Sequence, residues 1–237
     1  MPQLTIITIN RNNANGLSRT LSSILSQSET DFEYIVIDGA STDDSLSVIE
    51  TFKLSNFQTF KSISEPDSGI YNAMNKGIRM ATGEYLLFLN SGDCLASDKV
   101  IEQVLLHLNK GYEILSGELE LLRNNQEPIR LYPPQTINLN YCINEGLTHP
   151  NTFIRRDLFD KYGYYNEKNK IISDWEFFLI VCGLHTVNYK ALPFLISCFD
   201  MNGVSSQNEE LLQNETKKAL KRLLPAWKKL ERFIRKK

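Results

Sequence analysis

Glu84-Tyr85-Leu86-Leu87-Phe88-Leu89-Asn90-Ser91-Gly92-Asp93 passes from an unbroken apolar run into a knot of small polar residues. The run fits a strand buried on both faces, and Asn, Ser, Gly and Asp are the residues that close strands in turns. Two earlier segments repeat the pattern. Leu4 to Ile9 ends in Asn10-Arg11-Asn12-Asn13, and Tyr34-Ile35-Val36-Ile37 ends in Asp38-Gly39. Between the strands, apolar residues recur at helical spacing: Leu17, Leu21, Ile24 and Leu25, then Leu46, Ile49 and Phe52 behind the capping stretch Ser41-Thr42-Asp43-Asp44. A weaker strand near Thr59 to Ser64 precedes a helix through Ile70, Met74 and Ile78, and Val100 to Leu108 marks another. Strands alternating with helices predict an α/β fold with a mostly parallel central sheet flanked by helices.

The second half is less regular. Tyr112 to Leu122, Ile129 to Tyr132, Val187 to Ala191 and Leu195 to Phe199 read as extended. Asp157 to Tyr162 reads as a short helix and Ser173 to Cys182 as a more buried one. With no internal repeat and no long linker, residues 1–205 are expected to form one domain, and 206–237 a helical tail of different composition. The four cysteines, Cys94, Cys142, Cys182 and Cys198, lie far apart with no CxxC pair, which predicts thiols rather than a zinc site. No apolar run approaches the ~20 residues that span a bilayer, and the N-terminus has no secretory pattern, so a cytoplasmic chain is expected.

In an open parallel sheet, ligands bind beyond the carboxyl ends of the strands. Here those ends carry Thr8 and Asn10, Asp38, and Asn90 through Asp93, so carboxylates, amides and hydroxyls converge on one rim. A carboxylate at Asp38 can accept from the ring N–H of a uracil-like base. One at Asp93 can hold Mg²⁺ or Mn²⁺ against a diphosphate, because both ions favour hard oxygen ligands. The sequence contains no GxxxxGK[ST], no GxGxxG after a strand and no GxSxG elbow, which sets aside P-loop NTPases, dinucleotide-dependent dehydrogenases and serine hydrolases.

With these residues in place, the chain resembles the inverting glycosyltransferases of family 2, whose GT-A fold is a Rossmann-like nucleotide-diphospho-sugar transferase architecture. The carriers are Leu4 to Arg11, Val36 to Asp43, Glu65-Pro66-Asp67-Ser68-Gly69-Ile70-Tyr71-Asn72-Ala73-Met74-Asn75-Lys76-Gly77, Ala81 to Asp93 and Ser173-Asp174-Trp175-Glu176. The resemblance implies a nucleotide-binding half at about 1–95 and an acceptor half at 96–205. It implies that Thr8, Asn10, Asp38, Asp67 and Asn90 contact the nucleotide and that Asp93 is the metal-ligand end of an Asp-x-Asp-type motif. It places the general base at Asp174. His149, in Thr148-His149-Pro150, with Trp175 and Glu176, becomes a candidate for contact with acceptor or diphosphate. Many relatives read Leu-Asp-x-Asp-Asp where this chain has Leu89-Asn90-Ser91-Gly92-Asp93, so two carboxylates are absent. The implied reaction moves a sugar from a UDP-sugar to a glycan or lipid-linked acceptor in cell-surface polysaccharide assembly, with Mn²⁺ or Mg²⁺ as cofactor. A sugar-nucleotide pyrophosphorylase is the alternative enzyme, although Asn10 to Asn15 lacks the glycines such a loop needs. A catalytically degraded, membrane-associated homologue is the alternative without activity.

The formal charge of −2 conceals a division. Residues 216–237 carry ten basic residues and one acidic, while the remainder carries 16 basic and 27 acidic. Leu220, Leu223, Leu224, Trp227, Leu230, Phe233 and Ile234 recur at helical spacing among those cations. The pattern predicts a basic amphipathic helix at the inner face of a bacterial plasma membrane, or a C-terminal helix packed on the body. Confinement of positive charge to one apolar-faced segment argues against nucleic acid.

Overall fold

The computed structural model describes residues 2–55, 57, 59–123, 126–201 and 208–224. Its first half follows the expected alternation: β1 (Leu4–Asn10), α1 (Ala14–Leu25), β2 (Glu33–Asp38), α2 (Ser45–Lys53), β3 (Phe60–Ser64), α3 (Ile70–Met80) and β4 (Tyr85–Phe88). Then come β5 (Cys94–Leu95), α4 (Val100–Leu108), β6 (Ile114–Leu122), β7 (Ile129–Leu131), α5 (Leu139–Asn144), a 3₁₀ turn (His149–Asn151), β8 (Thr152–Arg155) and α6 (Asp157–Tyr162). The last elements are α7 (Ser173–Phe178), a π-helical turn (Leu179–Leu184), β9 (Tyr189–Asp200) and α8 (Glu209–Leu223). One sheet runs β3-β2-β1-β4-β8-β6-β9-β5, with β7 hydrogen-bonded to β6. The long ladders β1/β2, β2/β3, β1/β4 and β6/β9 are parallel, and the short ones that join the halves at β8 are antiparallel.

Side-chain alternation divides the core into two layers. Leu4 and Ile6, Tyr34 and Val36, and Leu87 and Leu89 face α1, α2 and α4. Ile7 and Ile9, Ile35 and Ile37, and Leu86 and Phe88 face α3, α6 and α7. A two-residue period with both faces covered explains why these strands read as continuous apolar runs. On the second face Phe159 stacks on Phe177 at 4.4 Å between ring centroids.

One expectation for the second half is corrected and two are refined. The two strands foreseen at 187–191 and 195–199 are one, β9. Pro193 falls where the β6 register slips between Ser116/Ala191 and Glu118/Leu195, a bulge that needs no N–H there. The helix foreseen over Ser173 to Cys182 changes from α to π winding at Leu179. In the tail, Leu220 is buried in the core and Leu223 and Leu224 pack against it, so these members of the apolar stripe face the body. Trp227, Leu230, Phe233 and Ile234 lie outside the described residues. No helix among the described residues is long and apolar enough to cross a membrane. All four cysteines carry free thiols.

Candidate active site

A cavity of about 510 Å³ opens at the carboxyl ends of β1 and β4, lined by Asn10, Asp67, Asn90, Asp93, His149 and Asp174 among others. The sequence had marked each of these, and the fold gathers them from segments as far apart as β1 and α7.

Two of the expected rim residues lie beneath the rim instead. Thr8 is one residue out of phase with Ile9, so its hydroxyl points into the α1 side, donating to the Leu89 carbonyl at 2.6 Å and accepting from Tyr34 at 2.9 Å. Asp38 is fully buried. It accepts from Asn10 Nδ2 (2.8 Å), the Ser41 hydroxyl (2.6 Å), the Ser41 N–H (2.9 Å) and the Ser64 hydroxyl (2.6 Å). Burial pushes its carboxyl up, but these donors outweigh it and hold Asp38 below its ordinary value. Its structural work is to fix Asn10 and the loop after β2, where Ala40 sits at a φ of 55°. A Cβ at Gly39 would stand 2.3 Å from Asp67 Oδ2, so a larger residue there would push the Asp67 carboxylate aside.

At the far wall a partly buried chain of polar groups runs Tyr71, Asp174, His149, Asn90. The Tyr71 hydroxyl donates to Asp174 Oδ1 at 2.9 Å, His149 Nδ1 meets Asp174 Oδ2 at 2.9 Å, and Asn90 Nδ2 meets His149 Nε2 at 3.0 Å. Asp174 is in the first turn of α7, yet the N-cap is Ile172 and no side chain caps the helix. Its oxygens turn inward to the cavity wall. Burial pushes Asp174 up, but the hydrogen bond and charge of His149, with the Tyr71 phenol, hold it below the ordinary carboxylate value. Burial pulls His149 down, and the bond and charge of Asp174, helped by Asp93, more than reverse that. Burial and the Asp174 charge push the Tyr71 phenol well up.

Asp93 is the opposite case. Oδ1 accepts from the Asp200 N–H at 3.1 Å, while Oδ2 is buried with no partner among the described residues. Burial drives its pKa to about 7, against the pull of the His149 charge. Asn90 Oδ1 is likewise buried without a partner. Two hard oxygens left bare in a buried cavity are what a divalent cation satisfies. Among the described residues no three His, Cys, Asp or Glu cluster as a self-sufficient metal site, so the remaining ligands would have to come from a bound diphosphate.

Glu176 is not at the cavity: it accepts from Asn169 at 2.6 Å and pairs with Arg222 of α8. Trp175 lines a neighbouring cavity. Sequence reasoning missed Tyr71 and Arg11 as site residues. Arg11 is exposed on the cavity edge, the only Lys or Arg among the described residues of its lining. Its signal was its place directly after the β1 end. Tyr71 gave none, since an aromatic residue in α3 reads as core.

The family model described as "Glycosyl transferase family 2" matches residues 5–163, more than half of the chain. A Mycobacterium tuberculosis (strain H37Rv) protein named "uncharacterized glycosyltransferase" is 32% identical over 225 residues, covering 88% of this chain and 79% of its own. A second protein of that organism, a PGL/p-HBAD biosynthesis glycosyltransferase, is 29% identical over 178 residues, covering 74% and 68%. Among solved structures, S. aureus TarS 1–349 in complex with UDP-GlcNAc superposes with a TM-score of 0.70 at 18% identity, over 84% of this chain and 58% of that one. A Pyrobaculum calidifontis mannosyltransferase in complex with GDP-Man and Mn²⁺ gives 0.64 at 16% identity, over 84% and 56%. The chain thus spans a little over half the length of these structural neighbours, which share its GT-A fold. Matched across both β1–β4 and the start of the second half, the protein belongs to glycosyl transferase family 2 and is a glycosyltransferase.

Proposed function

We propose that the protein transfers a sugar, with inversion, from a UDP-sugar to a hydroxyl of a glycan or lipid-linked acceptor in cell-surface polysaccharide assembly. The observation that carries this reading is the partly buried Asp174 carboxylate, inward-facing and held below its ordinary pKa, in the cavity that also holds Asp93, whose Oδ2 has no partner among the described residues. Inverting displacement needs a base for the acceptor hydroxyl on one side of the anomeric carbon and charge stabilisation of the leaving diphosphate on the other. Asp174 accepts the acceptor proton as the new glycosidic bond forms, and the old bond to the nucleotide diphosphate breaks. His149 and Tyr71 hold the carboxylate in place, and their hydrogen bonds keep it below its ordinary pKa. Asp93 and Asn90 would hold Mn²⁺ or Mg²⁺, which supplies positive charge to the diphosphate when bound. Asn10, Asp67 and Arg11 line the part of the cavity open to the nucleotide. The neighbour solved with UDP-GlcNAc supports UDP as carrier, and the one solved with GDP-Man and Mn²⁺ supports metal use.

The domain reading follows the same line: a nucleotide half over about 1–95, an acceptor half over 96–205, and a tail from 206. The ten cations of residues 216–237 support contact with an anionic membrane surface at the cytoplasmic face, which would bring the protein beside a lipid-linked acceptor. A panel of UDP-, GDP- and dTDP-sugars with Mn²⁺, read by nucleotide release, tests the reading. Release of UDP from one or more donors is expected. Pyrophosphate formation from a nucleoside triphosphate would install the pyrophosphorylase alternative, and donor binding with neither transfer nor hydrolysis would install the inactive homologue.

A further inference from the structure

At the edge of the sheet the strand register sets two thiols face to face. β5 ends the sheet and has β9 as its one strand neighbour among the described residues, with Cys94 opposite Cys198 and Leu95 opposite Ser197. Residues directly opposite on antiparallel strands point to the same face. Two residues on, the Ala96 N–H donates to the Ile196 carbonyl at 3.0 Å. Ladder alternation then makes Cys94 and Cys198 a hydrogen-bonded pair, whose Cα atoms lie about 5.5 Å apart. A disulfide spans that separation. Cys198 is also level with Glu120 of β6, and its thiol donates to Glu120 Oε2 at 3.7 Å. The Cys94 thiol donates to the Gly92 carbonyl at 3.9 Å. S–H is a weak donor, so neither contact ties the thiols down.

The other two cysteines differ in access. Cys142 and Cys182 are buried in the core, whereas Cys94 and Cys198 are partly exposed, so a small molecule in solution meets the β5/β9 pair first. Burial pushes both of these thiols up, Cys198 to about 11, which makes exchange with a disulfide slow. Position gives the pair its consequence. Cys94 directly follows Asp93, and Cys198 lies two residues before Asp200, whose N–H donates to Asp93 Oδ1 at 3.1 Å. A disulfide holds its Cβ atoms about 3.8 Å apart, against about 4.5–5.5 Å for opposed residues on a ladder. Oxidation therefore draws β5 and β9 together by about 1 Å beside the carboxylate. β5 is two residues long, so the shift passes to the adjoining Asp93.

We propose that Cys94 and Cys198 are a site of reversible oxidation, and that their disulfide disturbs the Asp93–Asp200 contact at the cation end of the cavity. The second clause rests on Asp93 as a ligand of the cation; the first stands without it. The oxidant is a low-molecular-weight disulfide. One protein thiol loses its proton and attacks it, expelling one thiol and leaving a mixed disulfide. The second protein thiol loses its proton and attacks the first protein sulfur, expelling another thiol. Two S–H bonds of the protein thus give one S–S bond, and the reagent is reduced to two thiols. Cystamine is the probe, since its ammonium groups suit the carboxylates of Glu120, Asp93 and Asp200 around the pair. After incubation at pH 8, peptide mapping is expected to find Cys94 joined to Cys198, with the intact mass lower by two hydrogens and restored by dithiothreitol. The Asp200 amide resonance is expected to shift on oxidation with no ligand present. With UDP, the Mn²⁺ concentration at half-saturation is expected to rise at least about tenfold, as it does when an outer partner of a metal ligand is lost. Cys198→Ser keeps a donor for Glu120, so it is expected to stop at a mixed disulfide and, when reduced, to bind UDP as the unaltered protein does. A Cys142–Cys182 bridge in place of this one, an unaltered protein that stops at a mixed disulfide, or an oxidised form that keeps its Asp200 resonance or its Mn²⁺ requirement overturns the proposal. Failure of the reduced protein to bind UDP would instead overturn the donor reading, and the bridge and the amide shift would still report on the pair.

Discussion

Replacing Asp174 by Asn removes a charge and almost no volume, so its effects separate catalysis from folding. In the native chain Asp174 accepts from Tyr71 and is joined to His149, both at 2.9 Å. The asparagine carbonyl can keep the Tyr71 bond. Its NH₂ would then face His149 Nδ1, which must become an acceptor, so the imidazole proton moves to Nε2. Asn90 can receive that proton by turning its amide, since its Oδ1 has no partner now. The chain of hydrogen bonds therefore survives with one tautomer change, and the variant is expected to fold. What it cannot do is take a proton from an acceptor. Loss of a positioned general base costs about 10²- to 10⁴-fold in rate, or roughly 3–5 kcal/mol in the barrier. The assay is kcat by nucleotide release, beside UDP affinity by calorimetry and the His149 titration followed by NMR. We expect kcat to fall by that factor, UDP affinity to stay within about threefold, and the His149 pKa to drop, because its main upward influence is the Asp174 carboxylate. A kcat within tenfold of the unaltered protein would refute the assignment of the base, as would a fall in UDP affinity matching the fall in kcat.

Asp93→Asn tests the cation site through stability. The folded Asp93 value, about 7, lies above its ordinary 3.8, so between these values the folded state holds the extra proton. Ionising it as pH rises through 7 costs stability. With chelator at pH 8 the variant should melt above the unaltered protein, and Mn²⁺ added in the presence of UDP should raise the melting temperature of the unaltered protein only. A Mn²⁺ shift of equal size in both would refute it. Acid unfolding should show the reverse sign. Buried Glu33, held below 4.5 by Lys61, Thr5 and Thr82 against its burial, stabilises fully above its unfolded value, and that is lost as pH falls through the lower folded one. Glu33→Gln should therefore flatten the loss of stability below about pH 4.5, measured by urea titration, and an unchanged slope would count against it. Gly83→Ala would set a Cβ 2.7 Å from the Thr5 nitrogen and 2.8 Å from the Leu4 carbonyl carbon, backbone that cannot step aside. We expect a loss near the upper end of about 1–3 kcal/mol in urea midpoint experiments, and a neutral variant would show that β1 can shift.

The first half of the fold was readable because both faces of β1, β2 and β4 are covered, which leaves a plain apolar run with a polar stop. The site was readable for the same reason: the stops of parallel strands fall on one edge. What the sequence could not supply was the direction of individual side chains there. Thr8 and Asn10 both belong to the β1 end, yet Thr8 hydrogen-bonds to Tyr34 on the α1 face while Asn10 lines the cavity. Asp38 is at a strand end but is consumed by four donors, three of them from residues 41 and 64. The partners of Asp174 come from α3 and from the turn before β8, distances along the chain that no local pattern encodes. The tail's stripe left two readings open for a different reason. An amphipathic stripe says that one face seeks an apolar surface, and for Leu220 that surface is the protein's own core.

The missing carboxylate at position 90 has a physical counterpart in His149. Asn90 Nδ2 stands 3.0 Å from His149 Nε2, and the other ring nitrogen already faces Asp174. An aspartate at 90 could only accept, so it would demand a proton on Nε2 as well as on Nδ1. The imidazole would then be fixed as a cation between two carboxylates, with Asp93 adding a third charge to its surroundings. Asparagine can meet the ring as donor or acceptor and so permits either protonation state. That freedom passes along the chain to Asp174, whose ionisation depends on the same ring. A cavity with a single buried carboxylate at the diphosphate end and an adaptable amide beside it remains chemically coherent. It keeps one bare carboxylate oxygen at the proposed cation position and keeps the opposite carboxylate below its ordinary pKa. A decayed site would have no reason to hold both, since an unpartnered buried oxygen costs stability and gives nothing back to the fold.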